Sequence, residues 1–456
     1  AESLELELWL KADLGPACMV NGCDVGTWND QSGLNKHVTQ ATNSRKPHYA
    51  ESEVNFNPSV QFDGSNDYLR HALAPSYTSE FTIFSVAHMS TATAMQGTIF
   101  NNHHNNGAGN GELNSFQIDF NGVTYRYRNS QEVTFGPYVD EFNILSTTNG
   151  NDPVNSPVTT YKNEVLQGTY NFAGTTRGKF FRDYVLGVNR VVGNYLEGDI
   201  SEIILYSRVL NAAEINRVES YLAVKYGITL GVNGTSLDYH ASDGTNIWDA
   251  SAVAGYCFNI AGLGRDDSSG LLQKASRSIY PANDGDVLTI GLDGLIAASN
   301  ALHTSTVAGD LQFLLWGDNG APLSLGSCQN QVMTMERHWR ATETGSIQDV
   351  IVSLEDLPAV NAALSTPPVV GATGPYLIIS PDPVFDGSDQ FLTITNSGTA
   401  WENTSVSFAA NSNEYFTFGW RLPDLTIDAS LSDSTLCVGE SSNFSTIVSG
   451  LLPTDF

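Results

Sequence analysis

Positive charge is what this sequence has least of. Lys and Arg number 21 in 456 residues against 49 Asp and Glu, a formal net charge of −28. No Lys/Arg cluster is present to neutralise phosphates, so nucleic acid is excluded as a partner. No apolar run approaches the roughly 18 residues of a membrane span, and no membrane insertion is expected. C-x-x-C is missing, which removes zinc ribbons and thioredoxin-type redox motifs. G-x-S-x-G is missing and the nine His are scattered, which removes the common serine-hydrolase pattern. No G-x-G-x-x-G leads from a strand into a helix, so nucleotide binding is not expected. The opening Ala1-Glu2-Ser3 has neither the basic nor the apolar region of a signal peptide and reads as a mature terminus, already cleaved.

What the chain does have is apolar and aromatic mass: 41% apolar residues, with 7 Trp, 18 Tyr and 21 Phe. That suffices for real cores, in roughly three domains at about 150 residues each, and excludes disorder. Only 15% of residues are charged, below the roughly 25% of ordinary domains. The resulting acidic, polar-uncharged surface suits a saline or extracellular setting, and its carboxylates can hold calcium.

Short runs rich in Val, Ile, Tyr, Phe and Thr recur between Gly, Asn, Asp and Ser: Phe81–Val86, Tyr184–Val188, Ile203–Tyr206, Phe313–Trp316, Val350–Val352 and Tyr376–Ile379 among them. Without long intervening helices this spacing means β-sandwiches. One segment reads as helix. Asn211 and Glu214 form a capping-box pair, Ile215, Val218 and Leu222 make one apolar stripe, and Gly227 is the stop. The helix is expected to close the first unit. Gly231–Gly234 is a link, a second strand-rich stretch runs to Trp420, and Arg421–Asp424 is a short linker. The expected domains are therefore 1–231, 232–422 and a module beginning at 423–456. The last is too short to bury a core, so the parent protein is expected to be longer.

Five cysteines are present. Cys18 and Cys23 flank a Gly and are near enough to clip a loop. Cys257 and Cys328 are a second candidate pair, with Cys437 left over; the alternative is that all five are buried thiols.

The first 230 residues carry a longer pattern: Leu8-Trp9-Leu10-Lys11-Ala12-Asp13, Trp28-Asn29-Asp30-Gln31-Ser32-Gly33, Val60-Gln61-Phe62-Asp63-Gly64-Ser65-Asn66-Asp67-Tyr68-Leu69, and Glu197-Gly198-Asp199-Ile200-Ser201-Glu202 running on to Tyr206. It resembles the laminin-G-like, concanavalin-A-like jelly-roll domains of large secreted surface proteins, especially in Bacteroidetes. Residues 232–422, with Leu315-Trp316-Gly317-Asp318-Asn319 and Glu336-Arg337-His338-Trp339-Arg340, resemble a β-rich companion of such jelly rolls. The tail resembles immunoglobulin-like or PKD-like adhesin repeats. The resemblance implies an all-β chain and a secreted or cell-surface adhesin binding a glycan or surface ligand. It further implies C-terminal repeats, gliding or attachment, and export by type IX secretion.

Three constellations are candidates for chemistry. Glu197, Asp199 and Glu202 have the E-x-D-x-x-E spacing of retaining β-glucanases, whose two glutamates serve as nucleophile and acid/base. Glu202 shares a face with the other two only if a bulge intervenes. The surrounding pattern matches the noncatalytic form, so no enzyme is expected, with a polysaccharide hydrolase as the alternative and a structural filament or surface-layer subunit as a third reading. Asp63, Asn66 and Asp67, with Asp30 on a nearby loop, offer oxygens to a structural calcium ion. The competing reading is that Asp, Asn, Gly and Ser make good turns, here and at Asp243–Asn246 and Asp386–Asp389. Tyr125, Arg126, Tyr127 and Arg128 alternate aromatic and cation along one strand and are the candidate ligand-binding face. Trp9, Trp28 and Trp339 are expected in the core, His338 is expected to be a strand residue, and the tract Asn101–Gly107 an exposed loop.

Overall fold

The computed structural model describes residues 5–423, 426–431 and 444–449, apart from 78–79, 91–96, 103–116, 121–123, 130, 138–140, 151–156, 172–179, 190–192, 253 and 293; several strands bordering these gaps are described by backbone alone. The chain is all-β with two helices, α1 (Ala212–Tyr226) and α2 (Pro358–Leu364). Its sheets stack as two sandwiches with a helical layer between them.

The first sheet is antiparallel, in the order Val165–Asn171, Pro157–Lys162, Asn143–Asn149, Phe81–Met89, Glu197–Tyr206, Asn57–Asp63, His48–Val54, with Leu6–Lys11 also pairing on Glu197–Tyr206. The ten-residue strand Glu197–Tyr206 divides one edge between two partners: Glu197–Ile200 pairs with Asn57–Asp63, and Glu202–Tyr206 with Leu6–Lys11. The second sheet runs from Gln131–Pro137 through Gly97–Asn101, Phe180–Leu186 and Leu69–Tyr77 to Thr27–Trp28. Period-2 alternation aims Leu8, Leu10, Ile83, Ile203 and Leu205 at Trp28, Leu69, Phe100 and Tyr184 of the second sheet; all are fully buried.

The third sheet (Phe258–Asp266, Gln312–Asp318, Trp339–Thr344, Asn413–Arg421, Thr373–Ser380 and shorter edges) and the fourth (Leu288–Gly291, Val350–Glu355, Ala400–Val406 and edges) enclose another core around Trp316, Trp339, Leu377 and Phe416. The strands Thr426–Leu431 and Phe444–Ser449 pair as a separate antiparallel ladder; Cys437 lies outside the described residues. The helix α2 was not legible. It has seven residues with Pro at its first turn and only Val360, Ala363 and Leu364 buried, too short a stripe to show a helical period.

Helix α1 begins and ends as its sequence predicts. Asn211 Oδ1 accepts from the Glu214 amide at 3.0 Å, Glu214 accepts from the Asn211 amide at 2.8 Å, and Gly227 caps the far end at φ 66°. Its position differs from that of a lid over one sandwich. From Glu219 to Tyr226 every residue is buried. One side meets the outer face of the first sheet (Phe84, Val86, Ile144, Ile204). The other meets Tyr239 and Trp248 and the outer face of the third sheet (Ile260, Phe313, Leu315). The hairpin turn at Asn55 pins its C-terminal end. Asn55 and Asn57 side-chain amides both donate to the Lys225 carbonyl, at 3.0 and 2.7 Å, and reach Ser276 and Gln273 of the second sandwich. Among the described residues no helix is long and apolar enough to cross a membrane.

Candidate functional site

The E-x-D-x-x-E segment has the bulge its spacing needs. Pairing with Phe81–Met89 slips between Ile200 and Glu202, so Asp199 opposes His88 while Glu202 opposes Val86. His88, Val86 and Asp63 alternate with inward residues, which places Glu197, Asp199 and Glu202 together on the outer face. That face is where α1 lies. Glu202 is 1% exposed. Its Oε1 accepts from the Trp9 indole at 2.6 Å and Tyr221 at 2.8 Å; its Oε2 accepts from Lys225 and Tyr226, both at 2.8 Å. Lys225 also reaches Asp13 at 2.9 Å, and Lys11 donates to the Gly270 carbonyl at 3.1 Å. Burial alone would lower the Lys225 pKa, but Asp13 and Glu202 outweigh it and the ammonium is held above its usual range. Burial, then Glu202, pushes the Tyr221 and Tyr226 phenols well up. Asp199 is engaged by Ser59 at 2.8 Å and stands 3.5 Å from His88. A carboxylate sealed on both oxygens has no route to a substrate. Glu202 is a staple between strand, helix and second sandwich, and the sequence could not show which element covers it.

The carboxylates expected around calcium are engaged in ordering their own turns. Asp30 accepts from the Trp9, Ser32 and Lys36 amides and the Ser32 hydroxyl, so both its oxygens order its own loop. Asp63 Oδ1 accepts from the Ser65 and Asn66 amides, and Asp67 Oδ2 from the Asp63 amide. The similar segments at Asp243 and Asp386 close the same way. Among the described residues no three His, Cys, Asp or Glu side chains are placed together to hold an ion. Phe62 and Leu69 do point inward on either side of the turn. Burial, then Asp63, raises the Asp67 pKa to about 6. Because the folded carboxyl binds its proton more tightly than the unfolded one, this group stabilises the fold below about pH 4, and the contribution is lost as pH rises through 6. Asp67→Asn is therefore expected to melt higher than the parent at pH 7 and to lose that advantage at pH 4. An advantage that is equal at both values would show that the charge is not the cause.

Strand Thr124–Asn129 forms, but the side chains of Tyr125, Arg126, Tyr127 and Arg128 lie outside the described residues, as does 103–107 of the polar tract. Cys18 and Cys23 are bonded, with Cα atoms 6.2 Å apart. Cys257 and Cys328 are not bonded to each other: Cys257 is buried in the helical layer, whereas Cys328 sits on an exposed loop. His338 precedes strand Trp339–Thr344 and packs on Phe385 at 4.7 Å; burial pushes its pKa down.

Trp28 and Trp339 are core, but Trp9 is only partly buried. It opens onto a cleft of about 410 Å³ between the outer face of the first sheet, α1 and the loops at Ser242 and Ser268–Ser269 of the second sandwich. Leu6, Ile204, Leu210 and Val218 supply apolar lining; Trp9, Tyr206 and Tyr221 supply aromatic lining. Trp9 and Tyr221 meet edge to face at 6.4 Å, and the indole is fixed by its bond to Glu202. At the rim Arg208 is clamped by both oxygens of Glu214 at 2.7 and 2.8 Å and also bonds Glu5. Arg208 in turn holds the Glu214 carboxyl down at about 2. The cleft was missed because its parts come from four distant segments, each reading alone as ordinary strand, helix or turn.

Comparison with known proteins adds the following. A family model, a domain of unknown function (DUF8202), matches residues 214–413, under half of the chain, beginning inside α1. No curated protein matches. Trypanosoma rangeli sialidase in complex with the inhibitor DANA is 16% identical over 46% of this chain and 32% of its own, with a TM-score of 0.31. The match thus spans about a third of the sialidase. Domain 4 of AbnA, a GH43 extracellular arabinanase from Geobacillus stearothermophilus, in complex with arabinotriose, is 16% identical over 45% of this chain and 95% of its own, TM-score 0.32. The botulinum neurotoxin serotype D binding domain is 11% identical over 92% of each chain, TM-score 0.41. At such scores these likenesses add nothing to what the strand pairing establishes.

Proposed function

We propose that this chain is a glycan-binding part of a secreted, cell-surface adhesin, and that the sugar sits in the cleft between the two sandwiches. The observation that carries this reading is the cleft's lining. A volume of about 410 Å³ falls in the ordinary range for small-ligand pockets. Aromatic rings there offer an apolar wall to the C–H face of a sugar. Tyr206 and Ser268 present side-chain hydroxyls to which no described residue is hydrogen-bonded, ready to read sugar hydroxyls. The sealed state of Glu202 favours binding over hydrolysis. The test is an array of oligosaccharides probed with the whole chain, with and without calcium. Ser268→Trp fills the cleft from an exposed position and is expected to abolish binding. Tyr206→Phe should weaken it about 3–10-fold, the loss of one hydrogen bond. Binding that survives Ser268→Trp undiminished would place the ligand elsewhere, and release of reducing sugar from a bound glycan would replace this reading with that of a hydrolase.

A further inference from the structure

The two arginines lining the cleft are not equivalent. Arg208 is fully engaged, its guanidinium divided between Glu214 and Glu5. Arg217, one turn further along α1 and half-buried, has no hydrogen bond or ion pair with any described residue, although it lines the same cleft. It lies beside the turn at Gly244, and the two oxygens of Glu214 on its own helix are already committed to Arg208. What sets Arg217 apart from Arg208 is its place: it lines the cleft with no carboxylate bonded to it among the described residues. Its planar fork matches a carboxylate with two parallel hydrogen bonds.

Taking the cleft as the glycan site proposed above, we infer that its ligand is an acidic sugar, with the sugar carboxylate on Arg217 and the ring against the aromatic wall. The wider negative charge of the chain does not forbid this. At physiological ionic strength charges are screened beyond about 8 Å, whereas a contact pair in a half-enclosed cleft is screened far less. Serines at 242, 268 and 269 supply neutral polar lining, and among the described residues Glu214 is the one acidic side chain that lines the cleft.

The experiment uses the whole chain on an array carrying uronate-bearing, sialate-bearing and neutral oligosaccharides, followed by calorimetry. The calorimetry compares tetragalacturonate with its neutral counterpart, a galactose tetramer. The parent is expected to bind acidic members at least tenfold more tightly than neutral ones. Arg217→Ala should lower affinity for the acidic members at least tenfold and for the neutral ones by clearly less, with the melting temperature unchanged, and Arg217→Lys should keep part of the preference. Binding of neutral members only, or an equal loss of both classes in Arg217→Ala, overturns the acidic-sugar assignment and leaves the cleft as a glycan site. Binding of no member overturns both.

Discussion

Glu202→Ala is expected to destabilise the chain by about 3–5 kcal/mol, the usual cost of removing one partner from a buried ion pair. The reason is the number of groups it abandons. Lys225 would keep Asp13 alone, while the Trp9 indole and the Tyr221 and Tyr226 hydroxyls would lose their acceptor in a largely buried layer. Each orphaned donor carries a desolvation cost of about 1–3 kcal/mol. Urea titration of parent and variant gives the difference from the midpoints. Removing Lys225 as well, in Glu202→Gln with Lys225→Met, should cost less than the sum of the two single changes, because no charge is then left unpaired. A loss under about 1 kcal/mol for Glu202→Ala would mean that the carboxylate is hydrated and the network is ornamental.

The second large effect belongs to Gly227. Its φ of 66° is left-handed, a conformation that costs an alanine about 1 kcal/mol. There is also no room: a Cβ there would lie 2.2 Å from the Arg277 carbonyl oxygen and 3.1 Å from the Asn55 amide. Backbone of the second sandwich must therefore move, and overpacking of this kind costs a further ~1–3 kcal/mol. Gly227→Ala is expected to lower stability by about 2–4 kcal/mol in total. Gly33 is the control: its φ is 88° and a Cβ there would meet nothing within 4 Å, so Gly33→Ala bears the backbone cost alone. Equal melting temperatures for the two variants would refute the close approach.

The difference between these two glycines also marks what could be foreseen. Local features were legible because they are local. The strand runs, the capping box at Asn211–Glu214 and the stop at Gly227 depend on neighbours a few residues away, and the turn chemistry of Asp63–Asp67 is written in the turn itself. What was hidden depends on which surface meets which. Glu202 reads as a catalytic candidate by spacing, and its bulge is even present, but its role is set by a helix that descends on that face. Glu219 and Lys225 flank the stripe of Ile215, Val218 and Leu222, where a charged side chain ordinarily reaches water, yet both are buried because α1 is covered on both sides. Trp9 reads as core, but the second sandwich stops short of it and leaves the cleft. In each case the missing information was the packing partner of a correctly anticipated element.

The shared helical layer also fixes when folding can finish. Trp9 meets Glu202 across 193 positions of chain, and Lys11 meets Gly270 across 259. Strand Leu6–Lys11 can meet its local partners at Trp28–Gln31 early, but its ladder with Glu202–Tyr206 waits until that strand has been synthesised, and its lysine waits longer still. At about 5–20 residues per second on the ribosome, that wait is on the order of ten seconds to a minute. During it an apolar strand edge and the outer face of the first sheet stand open to other chains. Contacts of such large sequence separation are expected to make refolding slow.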